Sequence, residues 1–264
     1  MEYFVKKESV VREIWGKSDT ILVIFAGASA EFALNKAVDW LYFTGKLPTD
    51  PLGRLFSTVT YARKIVFLSH SEAIGAINRI NAIHSGVENK RGNKIPQWAY
   101  RDVLFMLIGY SIRAYELLER KLSQDEKQEV LDVFYRVGKA MEIEDLPPNY
   151  NDWLSQRKQH LEQDLEDSRY SKDLYRQYKK HLGPVRYWFL LKVQELVCPQ
   201  KVKELLHLTS NPIIPPALTT YKIMRYLKLD HIAKSLLLPI DYKDQIKDLD
   251  RFKNPHKKSA EVSF

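Results

Sequence analysis

No proline occurs before Pro48, and none lies between Pro96 and Pro147. Proline breaks a helix interior by removing an amide donor and crowding the preceding turn, so two such gaps leave room for long helices. Both gaps carry the matching periodicity. Ile21, Phe25, Ala28, Phe32 and Asn35 recur at three- and four-residue spacing in the first, and Val103, Leu107, Tyr110, Ala114 and Leu117 in the second. Each set falls on one face of a helix. No alternating strand pattern of useful length competes with them. The expected fold is all-α, one multi-helix globular domain.

Local chemistry sets the expected boundaries. Gly45, Pro48 and Pro51 end the first long helix, and the next starts near Leu52. Ser71 is the predicted N-cap of a helix running to about His84, with Gly86, Gly92 and Pro96 marking a polar loop after it. Ser123 and Glu126 have capping-box spacing and open a helix reaching about Met141. Pro147-Pro148 breaks it, and Asn149 or Asn151 caps another through about Asp167. Gly183-Pro184, Pro199, Pro212 and Pro215-Pro216 divide the remainder into three or four shorter helices, for a total of at least eight. One domain is expected over residues 1–250, with a basic, disordered tail at 251–264 that holds the run Lys253 to Lys258.

Composition narrows the class. A chain of 264 residues with 45% hydrophobic and 12% aromatic content is too apolar to be disordered. Lys and Arg number 41 against 33 acids, but the signs are interleaved, as in Glu162 to Arg169 and Asp241 to Arg251. That pattern describes a solvated surface, and with no nucleic-acid motif present a nucleic-acid partner is not expected. The single Cys198 excludes an intramolecular disulfide and a thiolate zinc cluster. The start, Met1 to Lys7, has no apolar leader, and the apolar run Thr20 to Ala30 stops at Glu31. A bilayer needs about 20 apolar residues, so no transmembrane segment is expected and the location reads as cytoplasmic.

Several familiar sites are missing. Gly27-Ala28-Ser29-Ala30-Glu31 lacks the final glycine of a nucleophile elbow and lies in a helical pattern. There is no phosphate-binding loop and no dinucleotide fingerprint. Glu204 and His207 have the spacing of a di-iron ligand pair, but no second pair exists, and they read as a surface pair. His160, His181, His207, His231 and His256 stand among charged or terminal residues and are expected to be exposed, while His70 falls at a helix junction. His84 differs, because Ile80, Ile77 and Ala73 precede it in helical steps. An imidazole ending such a face either coordinates a metal or packs as a core histidine on a backbone carbonyl, and spacing alone favours packing. Arg54, Ser57, Thr58 and Tyr61 form one polar stripe, with Leu55, Val59, Ala62 and Val66 forming an apolar stripe on another face. A polar stripe is a wet surface or the wall of an internal cavity that binds an anion such as a carboxylate, or bound oxygen. Composition favours the surface.

Taken together, Asp50-Pro51-Leu52-Gly53-Arg54-Leu55, Ser57-Thr58, Tyr61, Ala82-Ile83-His84 and Val87 resemble a known signature. It belongs to the MpaB-type oxygenase and latex-clearing (rubber oxygenase) catalytic-domain family and reads Asp-Pro-x-x-Arg-x-x-x-Thr, then Ile-His-x-x-Val. Tyr100 to Leu104, Gly138 to Pro147 and, more weakly, Leu236 to Pro239 extend the similarity over roughly residues 20 to 240. The resemblance implies an all-helical fold around a buried apolar pocket. It implies haem b with His84 as axial iron ligand, Arg54 and Thr58 as catalytic residues, and Ser57 beside them in contact with the cofactor. Tyr61 and Asp102 become supporting residues, with Asp102 as the expected counter-ion of Arg54. The implied partners are O2 and an apolar, isoprenoid-like small molecule, and the implied reaction is oxidative C=C cleavage or a related oxidation. Two positions depart from the family: Ser57 stands where the rubber-cleaving branch has a lysine, and Glu88 replaces a glycine. The alternative from another class is a non-catalytic helical module that binds a lipid or hydrophobic metabolite in the same pocket.

Overall fold

Two stretches carry apolar or small residues on nearly every side, and such helices can only be stable inside a protein. They form α2 (Ser18–Leu34) and α6 (Gln97–Leu118), packed against each other at the centre. The structure, a computed structural model, describes residues 2–45, 49–208 and Tyr221. Around the central pair it wraps α1 (Val10–Trp15), α3 (Asp39–Phe43), α4 (Pro51–Phe67), α5 (His70–Arg91), α7 (Gln124–Ala140), α8 (Tyr150–Gln163), α9 (Arg169–Val197) and α10 (Gln200–Leu205). A 3-10 turn, Lys36–Val38, joins α2 to α3. Among the described residues there is no strand, and two isolated bridges are the only extended pairing. The all-α expectation holds.

Gly27 lets the central pair approach closely, since a Cβ there would lie 2.3 Å from the Tyr110 ring of α6. Amphipathic helices close the core. Val130, Leu131, Phe134 and Val137 turn one face of α7 inward, and Trp15 of α1 meets Phe25 and Phe134 with ring centroids 6.2 Å away in each case. A smaller cluster of Ala33, Val38, Leu174 and Tyr178 fixes the first half of α9 to the end of α2. Gly183, at φ 71°, and Pro184 kink α9 rather than separating two distant elements. No helix among the described residues is long and apolar enough to cross a membrane.

The structure moves four expected boundaries. The first long helix stops at Leu34 instead of Gly45, because Asn35 turns extended and spends its side chain elsewhere. Its carbonyl oxygen accepts from Ala37 N and its amide donates to Asp102. The cap of α5 is Ser69, not Ser71. Its hydroxyl accepts from Glu72 N, and the Glu72 carboxylate accepts from Ser69 N at 3.0 Å. That helix also runs through Gly86 to Arg91, ending at Gly92 in the left-handed conformation, so His84 sits inside a helix with nearly two turns beyond it. The box at Ser123 and Glu126 and the cap at Asn149 form as expected, although α8 ends at Gln163. The tail at 251–264, His231, His256 and the Leu236 to Pro239 match lie outside the described residues.

Gly27→Ala forces a methyl group into the Tyr110 ring and is expected to destabilise the fold by about 1–3 kcal/mol. Gly75→Ala, in exposed mid-helix with nothing within 4 Å of the new Cβ, is expected to stabilise it by about 0.5–1 kcal/mol. Urea midpoints of the two variants should therefore move in opposite directions.

Candidate functional site

Helix α4 opens on a tight cap. Asp50 Oδ1 accepts from Gly53 N at 2.8 Å, Pro51 takes the first helical position, and a Cβ on Gly53 would fall 2.0 Å from the Asp50 carboxylate. That cap fixes the rotation of the helix, and the stripe Arg54, Ser57, Thr58, Tyr61 turns towards a cavity of about 340 Å³. The cavity lies between α4, α5 and the central pair, with walls that are mainly apolar, including Phe25, Phe32, Ile65, Leu104 and Phe134. It reaches the surface past Ile83 and Val103, which are 42% and 37% exposed. The choice between wet surface and cavity wall falls to the cavity. Ser57, though exposed, also lines it, at the rim.

The polar groups on this wall are few and their bonding is specific. Ser57 and Thr58 both donate their hydroxyl hydrogens to the Arg54 carbonyl, at 2.8 and 3.2 Å. Toward the cavity they act as acceptors. The half-buried Arg54 guanidinium makes no hydrogen bond or ion pair among the described residues, and burial lowers its pKa. Arg54 is the wall's charged donor.

His84 enters from α5. Burial, then the nearby Arg54 charge, lower its pKa to about 4 against a smaller opposing pull from Glu88, so the ring is neutral at physiological pH. Tyr100 of α6 meets it edge-on, with centroids 5.0 Å apart. Tyr100 in turn donates to Glu88 Oε1 at 3.1 Å, and Glu88 also accepts from Ile95 N at 2.9 Å and pairs with Lys94. The expectation of a carbonyl or carboxylate behind the ring is not met. Nδ1 of His84 is buried with no partner among the described residues.

Asp102 is not the counter-ion of Arg54. It belongs to a charged cluster on the other side of α2 and α6, where its Oδ1 lies 2.7 Å from His160 Nδ1 and its Oδ2 accepts from Asn35 at 3.0 Å. His160, expected to be exposed, is 3% exposed. The centre of the cluster is Glu31 of α2, fully buried, gripped through both oxygens by Arg157 and bonded to His160 Nε2 at 2.8 Å and Tyr110 OH at 3.0 Å. Burial alone would raise the Glu31 pKa, but the Arg157 charge and the His160 hydrogen bond outweigh it and hold the carboxyl at about 2. Burial disfavours the His160 imidazolium, yet contacts with Asp102 and Glu31 raise its pKa overall. Asp102, His160 and Asp164 come close enough to suggest a metal site. The two ring nitrogens of His160 already face carboxylates, Asp102 at Nδ1 and Glu31 at Nε2.

The sequence contained signals for what was missed. Glu31 is the acid that interrupts an apolar helix, and Trp153, Arg157, His160 and Asp164 share one face of α8. Tyr100 lay in a quoted match but had no apparent partner until α5 extended to Glu88.

Comparison with known proteins places this geometry in context. The family described as "ER-bound oxygenase mpaB/B'/Rubber oxygenase, catalytic domain" matches residues 15–228. No curated protein and no solved structure shows significant similarity to the chain.

The buried cluster makes stability depend on pH. A carboxyl depressed from 4.5 to about 2 on folding contributes stability above its ordinary value and loses it as pH falls through that interval. A histidine with a raised folded pKa does the opposite, stabilising below its ordinary 6.5 and losing that contribution as pH rises past the folded value. Glu31→Gln removes the carboxylate that grips the buried Arg157 with both oxygens and is expected to cost about 3–5 kcal/mol at neutral pH. It should also flatten the loss of stability between pH 4.5 and 2. Denaturant midpoints of wild type and variant across that range check both effects.

Proposed function

Because the chain belongs to the MpaB/rubber oxygenase catalytic-domain family, we propose that it is a haem-dependent oxygenase acting with O2 on an apolar, isoprenoid-like substrate in the α4–α5–α6 cavity. The observation that carries this reading is His84, a neutral imidazole on the wall of a mainly apolar cavity, with a buried nitrogen that no described residue engages. A neutral ring has the lone pair that iron ligation needs. The residues present suit haem b: His84 would hold its iron, and Arg54, Ser57 and Thr58 would be its polar neighbours. When bound, haem supplies the O2 chemistry that no side chain of this cavity has.

The protein's own groups do the remaining work. Tyr100, anchored on Glu88, holds the His84 ring in place from its edge. Arg54 presents fixed positive charge and N–H donors to negative charge that develops in the cavity. Thr58 and Ser57, their hydrogens committed to the Arg54 carbonyl, offer acceptor lone pairs only. Apolar walls admit an isoprenoid chain and exclude water, while the opening beside Ile83 and Val103 gives it a way in.

The purified protein is expected to show a Soret band. His84→Ala should abolish that band or greatly weaken haem retention while the far-UV circular dichroism stays helical. Haem retained with an unchanged spectrum in the variant would place the ligand elsewhere. A wild-type protein that takes up no haem would leave the lipid-binding module as the reading.

A further inference from the structure

Of the arginines that face the interior, Arg157 and Arg54 are treated oppositely. Arg157 grips Glu31 with both arms, whereas Arg54, half-buried at the cavity wall, has no carboxylate among the described residues. The acids on the surrounding helices are engaged elsewhere. Glu88 holds Tyr100, Ile95 N and Lys94, Asp102 holds His160 and Asn35, and Asp50 caps α4. His84 stays neutral and supplies no negative charge. A guanidinium cannot shed its proton to escape burial, and its planar fork matches a carboxylate bidentately. The rest of the wall is mainly apolar, so a complementary ligand carries one anionic end and an otherwise hydrophobic body.

We propose that Arg54 receives the carboxylate of an apolar acid, with the hydrophobic body of that ligand filling the cavity beside His84. The ligand class is an amphipathic carboxylate rather than a hydrocarbon or an alcohol. That such an acid is the substrate rests on the oxygenase reading, but its binding does not. The carboxylate has two possible carriers: a free apolar acid, or a propionate of the porphyrin itself.

The full-length protein, with haem content measured first, is titrated calorimetrically at pH 7 with farnesoic acid and farnesol. In a second arm, haem and its dimethyl ester are compared by Soret titration. The acid is expected to bind at least about tenfold more tightly than its neutral counterpart in one arm, as a charge-assisted hydrogen bond predicts. Arg54→Met should erase that preference, and Arg54→Lys, which keeps the charge without the fork, should retain part of it. Circular dichroism confirms that both variants fold, and the wild-type acid-to-neutral ratio decides the matter even if they do not. A preference in the farnesyl arm assigns the carboxylate to a free ligand, and a preference in the porphyrin arm assigns it to a propionate. Equal binding in both arms overturns the inference even if a Soret band upholds the oxygenase reading. Acid selectivity in a protein that takes up no haem upholds the inference while the oxygenase reading fails.

Discussion

The ion cluster of Glu31, Arg157, His160 and Asp102 is the constraint on which the rest of the molecule depends. Each charge is expensive to bury alone, and removing one partner of such a pair costs about 3–5 kcal/mol because the other remains uncompensated. The cluster offsets that penalty by closing on itself, with two carboxylates facing one guanidinium and one imidazole ring. Its members come from α2, α6 and α8, so the three helices are locked in one relative rotation. Tyr110, which touches both the Gly27 backbone and the Glu31 carboxylate, couples that lock to the closest packing in the core. With one side of α2 and α6 so committed, their other sides, through Phe25, Phe32, Tyr100 and Leu104, are left to line the cavity. Asn35 belongs to both regions, lining the cavity and bonding Asp102.

The cavity is the opposite arrangement, an apolar space with few polar groups. Its neutral histidine, hydroxyls committed to a backbone carbonyl and unengaged guanidinium leave a wall with one strong donor and several acceptors. An arginine held this way has unused binding capacity, whereas Arg157 is saturated by Glu31. The contrast separates a structural arginine from one available to a ligand, and it rests on partners rather than on burial alone.

How much of this could be read from the chain follows the range of the interactions. Proline gaps and three- and four-residue spacing act within a few turns, so the helical fold, the box at Ser123 and the inward stripe of α4 were legible. Arg54, Ser57, Thr58, Tyr61 and His84 stand out in the sequence, and the structure brings them to one cavity. What escaped depends on partners far along the chain. Asn35 ends α2 with its side chain held between Ala37 N and Asp102, and His160 is buried because Glu31 and Asp102 stand on other helices to receive it. Neighbouring charges in α8 suggested exposure, and only tertiary pairing reverses that. Gly86 signalled a loop, yet a glycine facing open space costs a helix only about 1 kcal/mol, which its caps at Ser69 and Gly92 outweigh.

The two departures from the family signature act on one site. A lysine in place of Ser57 would put a second cation beside Arg54, whereas the serine hydroxyl turns back onto its own helix and leaves Arg54 as the cation among the described residues of the wall. A glycine in place of Glu88 would remove the acceptor that anchors the Tyr100 hydroxyl, and with it the support that holds Tyr100 against the edge of His84. Glu88 also attracts Lys94 and the Ile95 amide, drawing the segment after α5 back over the cavity, where Ile95 forms part of the wall. One substitution therefore removes charge from the wall near Arg54, and the other braces the histidine from behind. Both leave a neutral ring and a lone guanidinium facing the same apolar space.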